Sequence, residues 1–177
     1  GSAVFDSVYG LDATAGAYPI LAESLPKKEG RTVGIVLREG LRSSRGRPID
    51  ATDLIASIER ARNSGAAAFL EDVPKGSVDR KSPRTALFQN ADPSSLARAL
   101  ASPLVALVSK SSSATRPDGT GAFRAEPSAD RLLLTRNRYA ARGPALLDEI
   151  SIRRATDLSE PLRDFEAKSA DIGWLGA

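Results

Sequence analysis

Val33-Gly34-Ile35-Val36-Leu37-Arg38-Glu39-Gly40-Leu41-Arg42-Ser43-Ser44-Arg45-Gly46-Arg47-Pro48-Ile49-Asp50-Ala51-Thr52-Asp53-Leu54-Ile55-Ala56-Ser57-Ile58-Glu59-Arg60 reads as a strand, a turn and an amphipathic helix. Val33, Ile35 and Leu37 recur with period two, and the run is rich in β-branched residues, which favours an extended strand. Gly40 and Gly46-Arg47-Pro48 then break the run, because Gly accepts positive φ and Pro fixes its own φ. Asp50 stands at the N-cap position with Asp53 three residues on, an acidic form of the capping box. Leu54, Ile55 and Ile58 supply a buried stripe, and Gly65 is expected to close the helix.

Outward from this stretch, Ala3 to Gly10 reads as the end of a helix, with Val4, Phe5 and Val8 on one face and Gly10 as C-cap. Strands are expected near Val78 and over Thr85 to Gln89, flanking a charged turn at Asp79 to Pro83. Asp92-Pro93 is a cap followed by Pro at the first helical position, so a helix follows to about Ser102, where Pro103 stops it. Leu104 to Val108 is a candidate buried strand, and Lys110 to Asp118 a polar connection. Gly119-Thr120-Gly121-Ala122-Phe123 lacks the third Gly, the Lys and the helix start of a phosphate loop, and is read as a tight entry into a strand. Arg131 to Asn137 pairs with that strand as a hairpin, and Ile150 and Ile152 share one face of a further strand. Ser159 caps a last helix with Leu162 and Phe165 turned inward.

These motifs resemble the dipeptide/oligopeptide/nickel family of extracellular solute-binding proteins, the receptors of ABC importers. The family pattern is Leu-Arg-x-Gly, then Val-Arg-Phe-Ser-Asp-Gly-x-Pro, then Thr-Ala-x-Asp-Val. The chain keeps Leu37, Arg38, Gly40, Arg42, Ser44, Gly46, Pro48, Ala51, Asp53, Ser57 and Arg60, and departs at Ser43, Arg45 and Asp50. Gly119 to Phe123 is similar to the family's Gly-Thr-Gly-Pro-Phe, and Glu166 to Ile172 to its helix-to-strand return. The resemblance implies an α/β (α+β) fold, a fragment of the type II periplasmic-binding-protein architecture with a mixed sheet and helices. Residues 1–18 would be the end of the first lobe's N-terminal helix and 19–118 a small α/β domain. Residues 119–177 would be part of the first lobe, ending at the hinge crossing. The first strand and the second large lobe would be absent.

The same resemblance implies capture of a small peptide or similar solute between two lobes, and delivery to an ABC permease in the membrane. The location would be periplasmic or membrane-anchored and extracytoplasmic, as in a lipoprotein. An alternative is a ligand-sensing domain of the same fold fused to a transcriptional regulator. Ligand contacts are expected at Tyr9, Gly173, Trp174 and Leu175. Trp174, the single Trp, is read either as core or as a cleft wall, since an aromatic face gives large contact area.

Composition narrows the chemistry. The 177 residues suit one domain or two small lobes, and 41% hydrophobic residues suffice for a core. Of the 25 basic residues 19 are Arg, scattered along the chain, and the net charge is +3. That distribution lacks the basic stripe of a nucleic-acid surface, so no nucleic-acid partner is expected. Cys and His are both absent. Disulfides, thiol nucleophiles, Cys/His zinc sites and imidazole bases are thereby excluded. Ser24-Leu25-Pro26-Lys27 matches Ser-x-x-Lys, but Pro26 prevents the helix that would aim the Lys. Asp53, Asp148, Glu166 and Asp171 read as caps or solvated charges. No catalytic residue, cofactor or metal is expected, and the chain is not read as an enzyme. Exposed apolar surface around Trp174-Leu175 is expected to favour self-association of the fragment.

Overall fold

The computed structural model describes residues 3–154, 160–168 and 170–171. The expected strand is β4 (Thr32–Val36), and the helix behind it is α1 (Ala51–Arg62). Asp50 caps α1 by accepting from the backbone N–H of Thr52 and Asp53, while Asp53 accepts from Asp50 N, completing the box. The helix ends earlier than expected, with Asn63 rather than Gly65 as its C-cap. Arg62 explains the stop: its guanidinium donates to Leu70 O (3.0 Å) and Val73 O (2.8 Å) and folds the following 3-10 turn, Ala67–Leu70, back against the helix end.

Around β4 an antiparallel sheet forms in the order β3-β4-β6-β5, with β3 at Lys27–Glu29, β5 at Gly76–Asp79 and β6 at Ser82–Gln89. Val33 opposes Phe88 and Ile35 opposes Ala86, all four on the face that α1 covers with Leu54, Ile58 and Ala61. Each fully buried Leu, Ile or Phe side chain there contributes about 1.5–3 kcal/mol. Pro83 is tolerated in β6 because β4 pairs only from Thr85 onward and the β5 register slips at Val78/Asp79, so no central ladder bond is lost.

The N-terminal segment is not the end of a helix. Asp6 forms a β-bridge with Leu107, and β1 (Tyr9–Leu11) pairs with β2 (Ala17–Pro19). At Gly10 in β1 the half-exposed Tyr18 ring folds over the backbone, 2.3 Å from where a Cβ would stand. A partner more than a hundred residues distant thus overrides the local apolar spacing. The next helix, α2 (Pro93–Ala99), starts where Asp92-Pro93 places it. In place of the buried strand expected over Leu104 to Val108, Pro103–Val105 is a 3-10 turn capped by Ser102, and Leu104 is exposed. Only Leu107 and Val108 beyond it are extended, bridging to Asp6 and Gly119.

A separate antiparallel sheet, β7-β8-β9, comprises Phe123–Pro127, Arg131–Arg136 and Glu149–Arg153. Its small core is Phe123, Ala125 and Leu134, with Ile150 packed against it. The expected mixed sheet is therefore, among the described residues, three antiparallel sheets within an α/β chain. In α3 (Glu160–Glu166), Phe165 is half exposed rather than turned inward. Ser159 lies outside the described residues, and nothing is described of the Leu162 side chain.

Gly119 and Gly121 tie the start of this second sheet to the N-terminal segment. A Cβ on Gly121 would stand 2.6–2.9 Å from backbone atoms of Ala3, Val4 and Phe5, and Gly121 N donates to Val4 O. Backbone cannot yield as a flexible side chain does. Gly121→Ala should therefore cost about 2–3 kcal/mol in urea unfolding. Gly65→Ala, with open space around the new methyl, should stay within about 0.5 kcal/mol. Equal effects at the two sites would remove the packing argument.

Candidate functional site

The two stretches that stand out in the sequence meet in space along a buried polar seam. From α1, Asp53 (2% exposed) accepts from Lys110 N at 2.8 Å. The Ser57 hydroxyl donates to Asp53 O (2.7 Å) and accepts from Val108 N (2.9 Å). From the turn, Ser44 N donates to Gly119 O at 2.7 Å, and the Ser44 hydroxyl to Asp118 at 2.9 Å. Asp118, fully buried, also accepts from Arg45 N (3.2 Å) and the Ser111 hydroxyl (3.3 Å). Arg38 reaches across to donate to Ala141 O. Asn137, 1% exposed, donates to Gly121 O and accepts from Tyr139 N. Ser43, which stands where the family has Phe, is itself buried and accepts from Arg45 N and Arg47 N. Its hydroxyl closes the turn from within, so the missing ring is replaced by hydrogen bonds.

Asp6 completes the seam. It is nearly buried, its carboxylate accepts from the Thr120 hydroxyl at 2.9 Å, and its carbonyl from Leu107 N. Burial raises its pKa above the ordinary 3.8, against the lowering influence of the Thr120 bond and of Arg142 and Arg38. The folded state then holds this proton more tightly than the unfolded chain. Its contribution to stability falls as pH rises from 3.8 through the raised value and is level above it. Asp6→Asn keeps an acceptor for Thr120 and should abolish that slope, leaving the variant at least as stable at neutral pH. Urea titrations between pH 3 and 7 check this; an unchanged slope would show that another group carries it.

Of the expected ligand residues the described structure includes Tyr9. Tyr9 has no exposed surface; its hydroxyl donates to Ser24 O, and burial pushes its pKa up. It packs in the core and presents no face to solvent in this chain. Gly173, Trp174 and Leu175 lie outside the described residues. The Ser24 hydroxyl donates to Leu25 O rather than to a base. Asp148 is exposed and pairs with Arg136, and Glu166 and Asp171 are exposed. Among the described residues no group of three His, Cys, Asp or Glu side chains is placed to hold a metal, and no helix is long and apolar enough to cross a membrane.

The profile of the bacterial extracellular solute-binding proteins, family 5 (middle), matches residues 16–176. The chain belongs to this family. The family 5 chain also superposes on solved structures. NikA from Staphylococcus aureus in complex with Ni(L-His)2 aligns with a TM-score of 0.74 at 17% identity, covering 94% of this chain and 37% of that one. A nickel ABC transporter protein from Bacillus halodurans gives 0.72 at 24% identity, with 95% and 36% covered. MoaA from A. tumefaciens R10, in complex with mannopinic acid, gives 0.76 at 19% identity, with 96% and 38% covered. These similarities establish the shared type II binding-protein fold, and the chain spans little more than a third of the length of those relatives. No curated protein sequence matches the family 5 chain.

Proposed function

We propose that this chain is part of the solute receptor of an ABC importer, a protein that binds without catalysing. The observation that carries the reading is the family match across residues 16–176, together with the seam that locks both motif regions into one unit. Residues 19–118 would be the small domain and 119–177 part of the first lobe, a division supported by the two separate buried clusters. The solute is a small peptide or a comparably small polar complex. Solved relatives are described in complex with Ni(L-His)2, mannopinic acid and the dipeptide Met-Leu. Closure of two lobes over it by hinge motion would present it to a membrane permease on the extracytoplasmic side. Gly173, Trp174 and Leu175 would form a wall of the cleft, and Tyr9 the packing beneath it.

Calorimetric titration of the full-length protein tests this, using mixed di- to pentapeptides and nickel with excess histidine. Micromolar or tighter binding of one class, about −8 kcal/mol or better, is expected. Silence towards all of them, with turnover of generic ester or peptide substrates lost in Ser24→Ala, would replace the receptor reading with an enzyme.

A further inference from the structure

From Arg131 to Leu147 the chain carries four Arg and no Asp or Glu, and the stretch ends in two exposed leucines. Leu146 is 98% and Leu147 59% exposed, on the loop that joins β8 to β9. That loop is held rather than slack. Arg136 donates from Nη2 to Leu146 O (2.7 Å) and from Nε to Leu147 O (3.3 Å), and pairs with Asp148 at 3.0 Å. Earlier in the loop Ala141 N donates to Thr120 O, and Ala145 packs against the Phe123 cluster. Two leucines presented to water on a fixed backbone are an apolar contact without a partner.

The same loop is cationic. Arg138 and Arg142 are exposed, and neither forms an ion pair among the described residues. The Arg138 guanidinium stands 4.8 Å over the Tyr139 ring, which itself lies against Gly46, 3.2 Å from where a Cβ would stand. Arg142 favours the charged form of Asp6, but that carboxylate is nearly buried and bonded to Thr120. Both guanidiniums are thus left to meet an anion from outside.

We infer that this loop docks on an anionic bilayer surface, with Leu146 and Leu147 entering the boundary between headgroups and acyl chains and Arg138 and Arg142 meeting lipid phosphates. Burial of apolar side chains and attraction to anionic lipid add together in such a contact. Arg136 makes the entry feasible. Peptide carbonyls leaving water must keep hydrogen-bond partners, and those of Leu146 and Leu147 already accept from its guanidinium. An apolar groove on a protein would accommodate the leucines but make no use of the unpaired cations. The contact is separate from solute capture and holds whichever solute the receptor carries.

The test is flotation of the full-length protein, made without lipid modification, with phosphatidylcholine vesicles containing phosphatidylglycerol and with phosphatidylcholine alone. Binding to the anionic vesicles only, weakened by added sodium chloride, is expected. Leu146→Ser with Leu147→Ser should weaken it about tenfold or more, and Arg138→Gln with Arg142→Gln by about as much. Leu146→Trp should tighten it, a gain that misfolding could not produce. The serine pair should leave titrations with peptide or nickel–histidine unchanged, which separates docking from solute capture. No binding to anionic vesicles, equal binding to both kinds, or binding indifferent to the serine pair overturns the inference. Full-length protein that instead dimerises through these leucines, without binding vesicles, would make the face a contact between copies and overturns it too.

Discussion

Asp118→Ala is expected to cost about 3–5 kcal/mol, the largest single loss outside the hydrophobic core. The carboxylate is wholly buried; its removal strands the Ser44 hydroxyl and takes one acceptor each from the Ser111 hydroxyl and Arg45 N, which are left with Ser109 and Ser43. It also takes away a negative charge that favours the Arg45 cation. A domain of this size has about 5–15 kcal/mol of stability in total, so much of it is at stake. The melting temperature should fall by roughly 10 °C or more. Asp118→Asn keeps one acceptor oxygen and should recover about half of the loss. Urea unfolding of the three proteins decides it: a cost below about 1 kcal/mol for the Ala variant would mean that water replaces the carboxylate and that the seam is not a stabilising feature.

The second large effect concerns ligand. Residues 1–177 alone should bind the solute at least about 100-fold more weakly than the full-length protein. Affinity between two lobes comes from contacts on both sides and from the exclusion of water between them, and an open wall supplies neither. Two open depressions among the described residues, about 290 Å³ each, flank α2 away from the seam. Self-association should be the competing outcome. Among the described residues Leu146 and Leu147 expose apolar surface close together in sequence, Leu146 to 98%, and Phe69, Leu104, Ile152 and Phe165 are exposed elsewhere. Sedimentation should show concentration-dependent association that Leu146→Lys with Leu147→Lys reduces. Micromolar peptide binding by the chain alone would mean that the cleft is complete within it.

Where partners are close in sequence, the residues announced the structure. Asp50 and Asp53 define the start of α1, Asp92-Pro93 that of α2, and the polar tip at Asp79 to Pro83 the β5-β6 hairpin. Each depends on contacts within a few residues, which spacing can reveal. The errors fall where the deciding partner is remote. Val4, Phe5 and Val8 have helical spacing, yet Asp6 pairs with Leu107 and Val4 with Gly121. Leu104 to Val108 looked buried and extended, but Ser102-Pro103 imposes a 3-10 turn before the bridge can begin. The seam was half legible: Asp53, Ser57 and the Gly119–Phe123 motif stood out singly. Nothing in their spacing told that Asp53 would reach Lys110, or that Ser44 would reach Asp118.

The pairing of the first residues with a much later stretch also sets the order in which this chain can be completed. Synthesis proceeds from the N-terminus, so the segment from Ala3 to Asp6 emerges long before Leu107, Gly119 and Phe123, which supply its hydrogen bonds. At about 5–20 residues per second that interval is on the order of 5–25 s. During it the β3-β6 sheet and α1 can assemble, while the segment from Ala3 to Asp6 is still without these partners. The joint between the segment from Ala3 to Asp6 and the stretch from Leu107 to Phe123 thus cannot close until that later stretch has been made, however early the sheet before it assembles.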